Sequence, residues 1–368
     1  MPQAPVLVVG GSGYFGRLLV DELCRFTTCD IIIGGRNQAK IEELISASPH
    51  KNRLRSQQID LRKAESIDQA LANVQIAICA AGPFQSFPLT FAERCIERKI
   101  HYIDLADARS YVRGIRELPM ARSASSAVCT GWSAVPALSG PLTTIASQGF
   151  DELHKIHSQI APGNKAPRGN STVASLLESV GQAHQLWRNG KWETASGWSQ
   201  PCGFSFPKPV GYRLGRLVDV PDYDIFPDAF HAQTVEFRVS SELELLNKGM
   251  DVLAWFVRRG LTPPLSQLTP VFQSSMALFG NFGNEWGAVG VECTGRKGNE
   301  TVQRRASIVA KKSGHWIPVM PATIMTVKIM ESPDSYTGMQ DPVSWITKGE
   351  LDSECEKRGY KLIVEGQQ

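Results

Sequence analysis

Seven residues near the amino end, GGSGYFG at Gly10–Gly16, have the composition of a loop that holds phosphate. Glycines 11, 13 and 16 satisfy GxGxxG, and glycines 10, 13 and 16 satisfy GxxGxxG. One glycine makes a tight turn, the next lets backbone approach a pyrophosphate, and the last allows a helix to pack closely on a strand. The helix that opens there turns free N–H groups and a positive dipole toward an anion. Ser12, Tyr14 and Phe15 occupy the positions between the glycines and fall within the same reach.

A second informative stretch is DIIIGGRNQAK, residues 30–40. Where a site for NAD carries an Asp or Glu that accepts from the ribose 2′-hydroxyl, this chain has Gly34, Gly35 and Arg36. A carboxylate repels a 2′-phosphate, whereas a guanidinium grips it through two hydrogen bonds and stacks on adenine. Gly34 and Gly35 leave room for the extra phosphate, and Asn37 and Lys40 are further donors. The expectation is NADPH rather than NADH, against the plainer reading of Arg36 as a solvated charge at a helix start. Asp60 is placed either to meet the adenine amine or to cap the helix after it. The small residues Ala80, Ala81 and Gly82 in CAAGPF suit the middle of the cofactor, with Pro83 and Phe84 toward the nicotinamide.

Hydride transfer asks the protein for position and a proton. The donor candidates are Tyr102, Asp104 and Asp107 in HYIDLAD, because sites in open α/β sheets lie outside the carboxyl ends of strands. Asp104 reads equally well as a structural carboxylate, and Tyr102 as core.

The elements that must position these groups alternate. Apolar runs at Pro5–Gly10, Asp30–Gly35, Arg55–Leu61, Gln75–Gly82, His101–Ala106 and Ser126–Gly131 are separated by amphipathic segments. That pattern predicts βαβ units and a Rossmann-type, doubly wound parallel sheet over residues 1–131. Residues 132–317 carry alternating segments such as Gln233–Val239 and Ala288–Gly295, with helices expected at Thr172–Arg188 and Glu242–Arg259. They predict a second, α+β domain. Residues 318–368 form a C-terminal segment with helices near Pro321–Met330 and Lys348–Arg358.

Composition narrows the partners. With 39 basic and 36 acidic residues the formal charge is +3, which gives no electrostatic case for nucleic acid. The longest apolar runs, Val74–Ala81 and Val252–Val257, fall short of the roughly 20 residues of a membrane helix, so no integral membrane segment is expected. No charged leader precedes Pro5, and the eight scattered cysteines lack zinc spacing; a cytoplasmic protein with reduced thiols and no metal is the expectation.

VVGGSGYFGRLL, IIIGGRNQAK, ICAAGPFQ and above all CIERKIHYIDLADARSYV (Cys95–Val112) resemble the saccharopine dehydrogenase-like reductase family. TGWSAVPALSG and the ending GMQDPVSWI…ECEKRGYKLI resemble its crossover and C-terminal segments more loosely. The resemblance implies an NADP-dependent oxidoreductase, often a homodimer, whose C-terminal segment returns to the dinucleotide-binding domain. It leaves the small-molecule substrate open: a C=C or C=N bond in a small, hydrophobic compound is favoured by the Trp- and Phe-rich middle, with Trp187, Trp192 and Trp198 as candidate pocket walls. An amino-acid imine of the saccharopine kind and a non-catalytic NADPH sensor are the alternatives.

Overall fold

The computed structural model describes residues 4–166, 169–262, 265, 272 and 279–366. The alternation expected from the sequence is present: β1 (Val6–Val9), α1 (Tyr14–Phe26), β2 (Ile31–Gly35), α2 (Gln38–Ala47), β3 (Leu54–Gln58), α3 (Ala64–Ala70), β4 (Ile76–Cys79), α4 (Thr90–Glu97), β5 (His101–Asp104), α5 (Arg109–Glu117), α6 (Pro119–Arg122) and β6 (Ala127–Cys129). β1 reads VLVV and β4 reads IAIC, and every residue of both is buried, as parallel strands covered on two faces require. α1 turns Leu18, Leu19 and Leu23 inward. Each fully buried leucine of this kind adds about 1.5–3 kcal/mol of transfer free energy.

The chain continues through α7 (Ser139–Ser147), β7 (Glu152–Pro162), α8 (Asn170–Ser179), β8 (Ala183–Arg188), β9 (Lys191–Ser196), β10 (Cys202–Ser205), β11 (Tyr212–Leu217), α9 (Asp222–Phe230), β12 (Thr234–Val239), α10 (Glu244–Arg258), β13 (Gly287–Lys297) and β14 (Glu300–Ala310). It ends with α11 (Met320–Glu331), β15 (Gly338–Met339), α12 (Lys348–Lys357) and β16 (Tyr360–Gly366). The single helix expected over Thr172–Arg188 is corrected. It stops at Ser179, and residues 183–196 form a hairpin closed by Asn189 and Gly190, both at positive φ. Asn-Gly is the strongest two-residue hairpin signal, and it outweighs the helical spacing of the apolar residues before it.

Two compact units result, one of Met1–Ala134 with Pro318–Pro342 and the other of Val135–Ile317 with Val343–Gln368. The first unit holds a parallel sheet in the order β15-β6-β5-β4-β1-β2-β3, the Rossmann order with one short strand added. The second holds a mixed sheet, β10-β11-β12-β7-β13-β14-β16, in which β12 and β7 are parallel and the other pairs antiparallel. The fold is thus Rossmann-type α/β with a second α+β domain. The C-terminal segment expected to return whole to the first domain divides instead. α11 and β15 lie with the first unit, while β16 pairs with β14 over seven residues in the second. Edge-strand hydrogen bonding, invisible to a motif, decides that placement.

Trp187 and Trp192 face each other across the hairpin with ring centroids 5.2 Å apart. Trp198 is buried with Val173, Leu177 and Met250, so the three tryptophans do not share one wall. Among the described residues no helix is long and apolar enough to cross a membrane, and no group of three or more His, Cys, Asp and Glu could hold a metal. All eight cysteines are free thiols.

Candidate cofactor and active site

The glycines of the loop work at close range. Gly10 leaves β1 at φ +78°, and a Cβ there would lie 2.7 Å from both Cα and N of Ala81. A Cβ at Gly16 would lie 2.1 Å from the Gly10 carbonyl oxygen and 2.6 Å from the Gly11 Cα. A Cβ at Gly11 would meet the Ile33 side chain at 2.8 Å. No side chain fits at 10 or 16 without moving backbone, so β1, β4 and α1 converge on one loop only because these positions are glycine. Gly13 caps α1 with extended backbone and no side-chain bond, and its N–H donates to the Gly10 carbonyl at 2.8 Å. Arg17 makes the first intrahelical bond to Gly13. The N–H groups of Phe15 and Gly16 precede the first intrahelical bond and lie beside the loop.

The end of β2 sits beside this loop, since a Cβ on Gly35 would be 3.7 Å from Ser12 Oγ. Arg36, Asn37 and Lys40 follow, all exposed. The Arg36 backbone is held by Gln58, whose Nε2 donates to its carbonyl at 3.4 Å. Asn37 is the N-cap of α2: its Oδ1 accepts from the Lys40 N–H at 3.0 Å. Gly34, expected to make room for phosphate, is buried, and a Cβ there would press on Ile59 and Leu7 at 3.0 and 3.3 Å. Its smallness serves sheet packing. Asp60 caps no helix, for α3 begins at Ala64 with Lys63 as its N-cap. Its Oδ1 accepts from the Arg62 N–H at 3.1 Å and so shapes the turn after β3. Arg17, not singled out in the sequence, donates from Nε to the Ser12 carbonyl at 3.1 Å and braces the loop. The available signal was a cation in the first turn of a helix, where it opposes the dipole.

At the end of β4, the Ala80 N–H donates to the Val9 carbonyl at 2.8 Å, which ties β4 to β1 at the topological switch point. Ala81, Gly82 and Pro83 are half-buried there; Phe84 is buried and packs on Tyr111 at 5.2 Å. The three expected proton donors fare differently. Tyr102 is fully buried, its hydroxyl 3.1 Å from that of Tyr111. Asp104 is also fully buried; its Oδ1 accepts from the N–H groups of Ala106 at 2.9 Å and Gly131 at 2.8 Å. The Asp104 carbonyl accepts from Trp132 N–H at 2.8 Å. Burial raises the Asp104 carboxyl to about 6, against the opposing pull of the Gly131 and Ala106 N–H groups and the Thr130 and Tyr102 hydroxyls. His101 on the same strand accepts from the Ala127 N–H at 3.0 Å through Nδ1, and burial lowers its pKa. His101 and Asp104 thus splice β5 to β6. Asp107 alone of the three is exposed, although crowding around its carboxyl raises its pKa by desolvation.

Residues 6–130 match the family model described as the saccharopine dehydrogenase NADP binding domain. The N-terminal domain belongs to this family. Its dinucleotide is NADP, in keeping with a glycine loop whose neighbouring strand ends in Arg36 and no carboxylate. The apo saccharopine dehydrogenase (L-Glu forming) of Saccharomyces cerevisiae has the same fold over 100% of both chains, at 14% identity and a TM-score of 0.69. Two other solved structures cover much less. Pen from Bacillus thuringiensis is 17% identical over 27% of this chain and 38% of its own, at a TM-score of 0.25. A short-chain dehydrogenase/reductase from Veillonella parvula in complex with NADP is 17% identical over 32% and 57%, also at 0.25. No curated protein matches the chain.

Proposed function

We propose that the protein is an NADPH-dependent reductase that delivers hydride to a C=C or C=N bond of a small substrate. The observation that carries this reading is the juxtaposition of the glycine loop with an exposed Arg36, through Gly35 and Ser12. In this reading the N–H groups of Phe15 and Gly16 receive the pyrophosphate, and Arg36 and Lys40 the 2′-phosphate. Ala80–Phe84 flank the nicotinamide half. Bound NADPH supplies the hydride; the chain supplies orientation and a proton from Asp107, the reachable candidate. The assembly is a homodimer in the cytoplasm, with eight thiols that need no oxidising compartment.

NADPH consumption measured against a panel of enones, cyclic imines and 2-oxo acid–amino acid pairs tests the reading. Turnover with one class and not the others is expected. The burial of Tyr102 and Asp104 favours a second reading, an NADPH sensor without chemistry. Tight NADPH binding with no oxidation anywhere in the panel would establish the sensor and reject the reductase.

A further inference from the structure

α10 leaves one face uncovered. Its inner side, Asn247, Met250 and Ala254, is buried, with Met250 and Ala254 packed among Val173, Leu177, Val180 and Trp198. The outer arc carries Leu245 at 67% exposure, Val252 at 56%, Trp255 at 44% and Phe256 at 40%, with Leu261 at 62% just beyond the helix end. At 3.6 residues per turn, Leu245, Val252 and Phe256 fall within a few tens of degrees of one line. Single exposed apolar side chains are ordinary, but a continuous stripe of them marks an interaction surface.

The charges of this helix are sorted. Its acidic residues both turn to the buried Arg216: Glu244 at 2.8 Å and Asp251 at 2.8 and 3.0 Å. Lys248, Arg258 and Arg259 remain exposed, and the Arg259 guanidinium lies 3.5 Å above the Trp255 ring centroid. The outward face is thus apolar at its centre and cationic at its margin. An indole edged by a guanidinium suits the boundary between acyl chains and headgroups.

We propose that this face of α10 docks on an anionic lipid surface, the helix lying in the plane of the interface. Leu245, Val252, Trp255 and Phe256 enter the acyl boundary while Lys248, Arg258 and Arg259 meet lipid phosphates. A second copy of the chain is a poorer occupant. A twofold contact through this face would set the same cations against one another, and the carboxylates of α10, Glu244 and Asp251, are part-exposed but already paired with Arg216. The docking is peripheral, since among the described residues no helix is long and apolar enough to span a bilayer.

The test is flotation of the full chain with vesicles of phosphatidylcholine alone or mixed with phosphatidylserine. Three surface cations predict a partition coefficient about a hundredfold higher on the mixed vesicles. The double variant Val252→Glu with Phe256→Glu should lose binding by at least about tenfold while its NADPH affinity stays unchanged. If that variant folds poorly, Lys248→Ser with Arg259→Ser should abolish most of the preference for phosphatidylserine. Wild-type protein that floats with neither vesicle, or variants that float as wild type does, would overturn the proposal. So would a dimer in sedimentation that the Val252→Glu, Phe256→Glu pair converts to monomer, since the face then belongs to a second copy.

Discussion

The ends of β2 and β5 point the same way from one parallel sheet, yet they use their charged residues in opposite manners. β2 ends in Arg36, exposed, with only its backbone tied down. β5 ends in Asp104, fully buried, with its carboxylate spent on the N–H groups of two neighbouring turns. The first arrangement keeps a charge available to a ligand. The second uses a charge to hold strands together and carries a cost in desolvation, visible as the raised pKa. Position at a carboxyl edge therefore marks where a site lies without saying which side chains take part in it.

The sharpest way to break this contrast is at the glycine loop beside the end of β2. Gly16→Val forces a side chain against the Gly10 carbonyl 2.1 Å away, and NADPH affinity by fluorescence titration should fall about a hundredfold or more. Near-normal binding would remove the loop from the site. At β5, Asp104→Ala strands two buried N–H donors and should lower unfolding free energy in denaturant by about 2–4 kcal/mol. Asp104→Asn, which keeps an acceptor, should leave turnover within about threefold; a loss beyond about tenfold with intact stability would make Asp104 chemical after all.

The same carboxyl has a pH signature. Unfolded it ionises near about pH 4, and folded at about 6, so between those values only the unfolded chain has released the proton. Stability should fall as pH rises across that window and level off above it, and Asp104→Asn should flatten the profile. At β2, Arg36→Ala should weaken NADPH binding by about 1.5–3 kcal/mol while leaving NADH unaffected. Equal loss for both dinucleotides would deny Arg36 its role at the 2′-phosphate. The smallest effect is expected at Asn37. Its side chain caps α2, so Asn37→Ala should cost about 1 kcal/mol of stability and change NADPH affinity by less than about twofold.

Much of the first domain was legible because local chemistry dictates it. GGSGYFG has few uses other than a turn that admits a phosphate, and the buried strands announce themselves as unbroken apolar runs. HYIDLAD was harder to read. The segment that carried most of the family resemblance proves to tie β5 to its neighbours, with His101 on Ala127 and Asp104 on Gly131 at β6 and Tyr102 on Tyr111 of α5. Its partners lie up to 27 residues away, so no spacing rule could separate a bonded carboxylate from a reactive one. Arg17 was missed for a simpler reason: its role is a bond to backbone, and its one mark in the sequence is a cation placed against the dipole at a helix start.

By itself the sequence determined the order of βαβ units, the glycine loop after the first strand and, at 34–36, a strand end with an arginine and no carboxylate. Those features depend on residues within a turn or two of one another. Only the tertiary structure decided that the C-terminal segment divides between two sheets, that Asp104 is sealed, and that α10 faces outward with its acids paired to Arg216. Each of these depends on burial and on hydrogen bonds between residues remote in the chain. Such contacts exist only once the sheets have formed.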